Sequence, residues 1–281
     1  MTTSTTRSTV STPEEADEQV GHWDPALTRH VMDLLRPVVK VYHRSQVRRL
    51  DRIPPGRCLL VGNHSGGLVT PDFAVFAVDF YRHFGYDRPL YVLAHDSFFH
   101  GPAADFLAHL GVVRANPHNA AAALGSDAAV LLFPGGDADV YRPSMDENVI
   151  DFAGRTGYVT AAIEAGAPIV PVVSIGGQET QLFLGRGRRL ARALGLTALE
   201  RRLFRTDILP VSFGFPFGLS VLIPVNMPLP AKIVAEVLEP IDVATHWALH
   251  PDVAVIDGRV RRAMQAGLDR LARRRRLPIF G

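Results

Sequence analysis

The chain has 281 residues, 47% of them hydrophobic, and a formal net charge of +2. That length suits one large α/β domain with an N-terminal extension, and the apolar share supplies a sizeable core. A charge so near zero gives no electrostatic case for nucleic-acid binding, and the single cysteine, Cys58, excludes an internal disulfide and any multi-cysteine zinc site.

Residues 1–22 are rich in Thr and Ser, turn acidic towards their end and hold no apolar stretch. They read as a disordered tail, neither a secretory signal nor a transmembrane segment. Residues 23–50 read as an N-terminal amphipathic helix, with Asp24 as N-cap and Pro25 at the first helical position. Leu27, Val31, Leu34, Leu35, Val38 and Val41 recur at helical spacing, and Pro37 is expected to kink or divide the pattern. Arg29, Arg36, Lys40, Arg44, Arg48 and Arg49 form the other face. Such a helix packs on its own domain, and it also suits an anionic membrane.

Residues 51–281 form the main domain. Expected strands fall at 57–63, 90–94, 111–114, 129–133, 169–175 and 231–239. Expected helices fall at 70–84, 103–110, 119–124, 156–164 and 258–275, the last with Val260, Met264, Leu268 and Leu271 on one side. Strands this apolar, alternating with helices, predict an α/β fold with a mostly parallel central sheet flanked by helices. Cys58 falls in the first of these strands, where a buried, inert thiol is expected, compatible with a reducing cytoplasm.

Two stretches bear on membranes. Residues 186–205 mix arginines with Leu190, Leu194, Leu196, Leu199, Leu203 and Phe204, the pattern of a basic interfacial helix or of a solvated helix packed on the sheet. Residues 208–231 carry no charge but are broken by Pro210, Pro216, Pro224, Pro228 and Pro230, so no spanning helix runs through them. Twenty-eight of the 30 basic residues are arginines, all but Lys40 and Lys232. Codon bias explains this, and guanidinium forks also suit phosphate-bearing headgroups and cofactors.

In open α/β sheets, sites gather at the carboxyl ends of strands. Two such ends stand out. The first is Asn63-His64-Ser65-Gly66-Gly67, followed by Asp72. A histidine just past a buried strand, in a glycine-bearing loop, suits proton abstraction near neutral pH when a carboxylate holds its other nitrogen. The second is Phe133-Pro134-Gly135-Gly136, followed by Asp139, a turn whose glycines let another molecule approach the main chain. Backbone amides at Ser65–Gly67 or Gly135–Gly136 are candidate donors to an oxyanion.

Together and in this order, these segments resemble the glycerolipid acyltransferase superfamily, and most of all its branch containing diacylglycerol acyltransferases and plant phytyl ester synthases. Gly111-Val-Val-Arg-Ala-Asn-Pro-His-Asn-Ala-Ala-Ala-Ala-Leu124, Arg155-Thr-Gly157, 167–172, and 229–233 with 239–241 are similar to further blocks of that branch. The likeness covers roughly residues 50 to 245. It implies a general base at His64 with an orienting carboxylate. The family spacing puts that carboxylate five residues on, where this chain has Val69; the first carboxylate is Asp72, eight residues on. Asp72 either folds back to His64 or only favours its helix N-terminus through the dipole.

The phosphate clamp of the lysophosphatidate enzymes is missing, because Gly135 and Ala138 replace its glutamate and arginine. The resemblance therefore implies a neutral acceptor such as diacylglycerol or a fatty alcohol. Substrate contacts are expected from Asn63, Ser65, Gly66, Gly67, Arg114, Phe133, Pro134, Gly135, Gly136 and Asp139. The acyl donor implied is acyl-CoA or acyl carrier protein, as a co-substrate with no bound cofactor. No metal site is expected from the eleven histidines. The expected setting is cytoplasmic, peripheral on the inner face of a membrane, whose lipid surface is the partner. A lysophospholipid acceptor held by Arg114, Arg142 or the 186–205 arginines, and a catalytically silent lipid-binding protein, remain as alternatives.

Overall fold

Seven strands form one sheet whose central members are apolar on both faces. In the computed structural model, which describes residues 19–64, 71–99, 101–136, 139, 148–185, 211–214, 218–221, 227–243, 252–275 and 277, the strands are β1 (Gln46–Arg48), β2 (Cys58–Gly62), β3 (Leu90–Ala94), β4 (Val112–Arg114), β5 (Ala129–Leu132), β6 (Ile169–Ile175) and β10 (Val234–Val237). Their order is β1-β10-β6-β2-β5-β3-β4. Every residue of β2 and β6 is buried, as expected of parallel strands covered on both sides. From β6 to β4 all neighbours are parallel. β10 runs antiparallel to β6, and β1 follows β10, so the sheet is mostly parallel with two reversed strands at one edge.

The period-2 alternation of each strand divides the core. Leu59, Val61, Val130, Ile169 and Val173 face one way. They pack against α4 (Pro117–Gly125), α5 (Gly157–Glu164) and α6 (Val253–Arg274). Cys58, Leu60, Leu131, Val170 and Val172 face the other way, against α1 (Pro25–Pro37), α2 (Pro71–Phe84) and α3 (Pro102–His109).

Helix ends follow their capping residues. Asp24 Oδ1 accepts from the amides of Ala26 and Leu27 at 2.8 and 3.0 Å. Asn116 accepts from Asn119, with Pro117 at the first position, so α4 begins two residues before the expected start. Asp252 caps α6 in the same way, and that helix begins at Val253 rather than 258.

The N-terminal helix departs from expectation. Pro37 ends α1, and a π-helical turn, Val38–Tyr42, follows. Arg44 and Arg49 have φ of 44° and 61°, a left-handed backbone that stops any helix. Residues 46–48 are therefore an edge strand, not a helix reaching residue 50. Residues 19–22 do not continue the expected tail either. Gln19 Oε1 accepts from the Arg114 amide at 3.0 Å, the Gly21 amide donates to Tyr91, and Val20 packs on the core.

A second, antiparallel sheet joins β7 (Leu182–Gly185), β8 (Val211–Gly214) and β9 (Gly218–Val221). Two of its strands lie in the proline-broken stretch, where no strand was expected. The 186–205 segment lies outside the described residues. Among the described residues, no helix is long and apolar enough to cross a membrane.

Candidate active site

β2 lies between β5 and β6, with Val61 opposite both Leu132 and Pro171. The carboxyl ends of three parallel strands therefore meet, and each sends one polar or aromatic group towards the same point. β2 continues into Asn63 and His64, β5 into Phe133-Pro134-Gly135-Gly136, and β6 ends with Ser174 and Ile175.

His64 Nδ1 lies 3.3 Å from Oδ2 of Asp72, in the first turn of α2. A carboxylate only accepts, so in the neutral imidazole the hydrogen of this pair is on Nδ1 and the lone pair is on Nε2. Asp72 thus folds back to His64 across eight residues, the closer of the two roles open to it. Its side chain is 2% exposed, against 17% for His64. The buried carboxylate holds the ring, and the ring is what reaches the surface. Asp72 Oδ1 accepts in turn from Ser174 Oγ at 3.2 Å.

Three further contacts fix the histidine. Its backbone amide donates to Asp139 Oδ2 at 2.9 Å. Its ring stacks on Phe133, with centroids 4.3 Å apart and planes 17° from parallel. Phe133 lies so close over Gly62 that a Cβ there would stand 2.7 Å from its Cε1. The Pro-Gly-Gly turn is held from behind by Arg155, whose Nη1 donates to the carbonyls of Pro134 and Gly135 at 3.1 and 2.6 Å.

Several residues expected to touch substrate do other work. Asn63 is buried, and its carboxamide takes the place of a peptide group. Oδ1 accepts from the Ser174 amide at 2.7 Å, and Nδ2 donates to the Ser174 carbonyl at 2.9 Å. The β2–β6 pairing is thus extended after the main chain has left the sheet. Asp139 is 1% exposed and turned towards His64. Its Cγ stands 2.6 Å from where a Cβ on Gly135 would be, so the glycine makes room for the aspartate rather than for a ligand. The Gly136 amide donates to the Phe133 carbonyl at 3.1 Å and closes the turn. Arg114 is on β4, at the far edge of the sheet, with Nη2 donating to the Phe99 carbonyl at 3.3 Å. Ser65, Gly66, Gly67 and Arg142 lie outside the described residues.

Ser174 and Gln178, whose Nε2 donates to the Asp139 carbonyl at 3.2 Å, went unnoticed in the sequence. A lone serine in an apolar strand gives no signal of its own. His43 is a further buried group close enough to interact electrostatically with Asp72. Burial pulls its pKa below the usual imidazole value, and its Nδ1 lies 3.3 Å from the Ala231 carbonyl. Among the described residues, no three His, Cys, Asp or Glu side chains are grouped to hold a metal ion.

This cluster is drawn mostly from one continuous span. The acyltransferase family model matches residues 44–175, from just before β1 to the end of β6. An uncharacterized protein of Mycobacterium tuberculosis is 30% identical over 92% of this chain and 70% of its own length. The chain belongs to the acyltransferase family. A mouse relative of this acyltransferase, described as a DGAT1/2-independent enzyme synthesizing storage lipids, is 27% identical over 77% of the chain and 62% of that protein. The fold matches that of the 1-acyl-sn-glycerophosphate acyltransferase PlsC from Thermotoga maritima, with a TM-score of 0.51 and 14% identity, over 92% of this chain and 79% of that one. The protein thus carries the acyltransferase family's domain on the fold of a glycerolipid acyltransferase.

Proposed function

We propose that this acyltransferase moves a fatty acyl group from a thioester, acyl-CoA or acyl carrier protein, to the hydroxyl of a neutral lipid such as diacylglycerol or a fatty alcohol, with His64 as general base. The His64–Asp72 pair carries this reading. Nε2 takes the hydroxyl proton as the alcohol oxygen attacks the thioester carbonyl. The C–S bond then breaks, and the departing thiolate takes the proton from the imidazolium. Such a base contributes on the order of 10²–10⁴ in rate.

Charge around the turn supports the neutral acceptor. Asp139 puts a carboxylate beneath Gly135, Arg155 Nη1 is spent on two carbonyls, and the Arg114 guanidinium sits over the Phe99 ring at 5.3 Å. A peripheral position on a membrane, facing the cytoplasm, completes the proposal. It is supported by an exposed apolar stripe at Leu34, Pro37, Val38 and Val41. The stripe ends beside His43, within electrostatic reach of Asp72.

The deciding experiment offers labelled acyl-CoA with diacylglycerol, a fatty alcohol or lysophosphatidate to wild type and His64→Ala. Label is expected in a neutral acceptor and is expected to be lost in the variant. Label in lysophosphatidate alone sinks the neutral acceptor, and undiminished product from His64→Ala removes His64 as base.

A further inference from the structure

Ser174 has no part in the proton transfer described above, yet it closes a ring of contacts around the residues that do. A carboxylate held at one oxygen still turns about its Cβ–Cγ bond, because that torsion is broad. Asp72 is held at both. Oδ2 meets His64 Nδ1 at 3.3 Å, and Oδ1 accepts the Ser174 hydroxyl at 3.2 Å. The hydroxyl belongs to a rigid support, since both the amide and the carbonyl of Ser174 are bonded to the side chain of Asn63 at 2.7 and 2.9 Å. Asn63 is joined directly to His64. The circuit therefore runs from the His64 ring to Asp72, to Ser174, to Asn63 and back along the chain to His64. All three supporting residues are buried: Asp72 4%, Asn63 6% and Ser174 8% exposed.

We propose that Ser174 is a positioning residue of the reaction, its hydroxyl setting the plane of the Asp72 carboxylate so that Oδ2 faces His64. The proposal rests on His64 acting as base. Donation to the carboxylate also favours its charged form, the form that orients an Nδ1–H imidazole. Neither task requires Ser174 to touch substrate, so its loss acts on the chemical step and leaves substrate binding alone.

The test measures kcat and KM for the full chain with palmitoyl-CoA and whichever of the three acceptors takes the label fastest. Ser174→Ala is expected to lower kcat about 10–150-fold, the effect of one hydrogen bond to a charged group, with KM within about twofold. Ser174→Thr keeps the hydroxyl and is expected to restore kcat to within about threefold. In an Asp72→Asn background, Ser174→Ala is expected to cost less than a further twofold or so, since the carboxylate it serves is gone. Should Ser174→Ala fail to fold, Ser174→Cys keeps the size with a weaker donor and is expected to show the same kcat loss. Unchanged kcat in the folded Ala or Cys variant overturns the proposal. So does an equal loss with and without Asp72, or a folded Thr variant as slow as Ala. His64→Ala separates the two readings: if it is inactive while Ser174→Ala is silent, only the role of Ser174 fails.

Discussion

The backbone amide of His64 and the carboxylate of Asp139 are joined by a 2.9 Å hydrogen bond that ties the end of β2 to the turn after β5. The bond is part-buried, with Asp139 itself 1% exposed, so water replaces the lost acceptor only in part. Removing one partner of a buried hydrogen bond costs about 1–3 kcal/mol. Asp139→Ala is therefore expected to lower unfolding stability by that amount in urea and to reduce kcat by about tenfold or more, because the ring no longer has a fixed base. Asp139→Asn keeps an acceptor oxygen and is expected to retain most of the stability. Equal stability of Asp139→Ala and wild type would show that this bond does not hold the loop.

Gly135 and Gly125 make a matched pair. A Cβ on Gly135 would stand 2.6 Å from Asp139 Cγ, closer than real Cβ contacts come, in a buried turn. Gly125 ends α4 with nothing within 4 Å of its would-be Cβ. Gly135→Ala is expected to destabilise by about 1–3 kcal/mol, the usual cost of overpacking. It is also expected to reduce activity with it. Gly125→Ala is expected to be neutral or to stabilise by up to about 1 kcal/mol through a less flexible unfolded chain. Thermal unfolding of the two variants side by side checks both signs.

What was legible in the sequence follows from what periodicity and punctuation carry. The buried strands 90–94 and 169–175 were readable to the residue, since each is an apolar run bounded by turn residues. The His64 loop and the Pro-Gly-Gly turn could be placed because both follow such strands. Burial of polar groups could not be read. Asn63 follows β2 and Asp139 follows the Pro-Gly-Gly turn, and in the sequence both look like surface residues available to substrate, yet each is turned inward onto a backbone amide. Ser174 looks like a minor exception in an apolar strand. The overlong N-terminal helix had a similar cause: the helical spacing runs on past Pro37, and nothing about an arginine announces the left-handed backbone at Arg44 and Arg49.

Cys58 offers a pH-dependent check remote from the site. It is 0% exposed, and burial raises its thiol from the ordinary 9.0 to about 11, against a smaller opposing pull from Arg88. The native protein is therefore expected to resist alkylation by iodoacetamide at pH 8, and to take up one equivalent once unfolded. Between pH 9 and about 11 the unfolded chain releases a proton that the folded chain keeps. Stability contributed at this residue is thus intact below pH 9 and falls as pH rises above it. Rapid alkylation of the native protein at pH 8 would contradict this burial.

The exposed stripe on α1 and its π-helical extension lets folding and the proposed membrane contact be tested separately. Leu27, Val31, Leu35, Met32 and Val39 face the core. Leu34, Val38 and Val41 face outward at 76%, 51% and 75% exposure. In water, side chains this exposed contribute little to stability, so Leu34→Asp with Val41→Asp is expected to change it by no more than about 0.5 kcal/mol at each site. On a bilayer the same side chains would enter the apolar boundary, where each buried aliphatic group is worth about 1.5–3 kcal/mol. The double variant is expected to melt like wild type and to bind phosphatidylcholine–phosphatidylglycerol vesicles at least about tenfold more weakly in a sedimentation assay. A large drop in melting temperature would mean that the stripe is core after all. Unchanged vesicle binding at an unchanged melting temperature would rule this helix out as the proposed membrane contact.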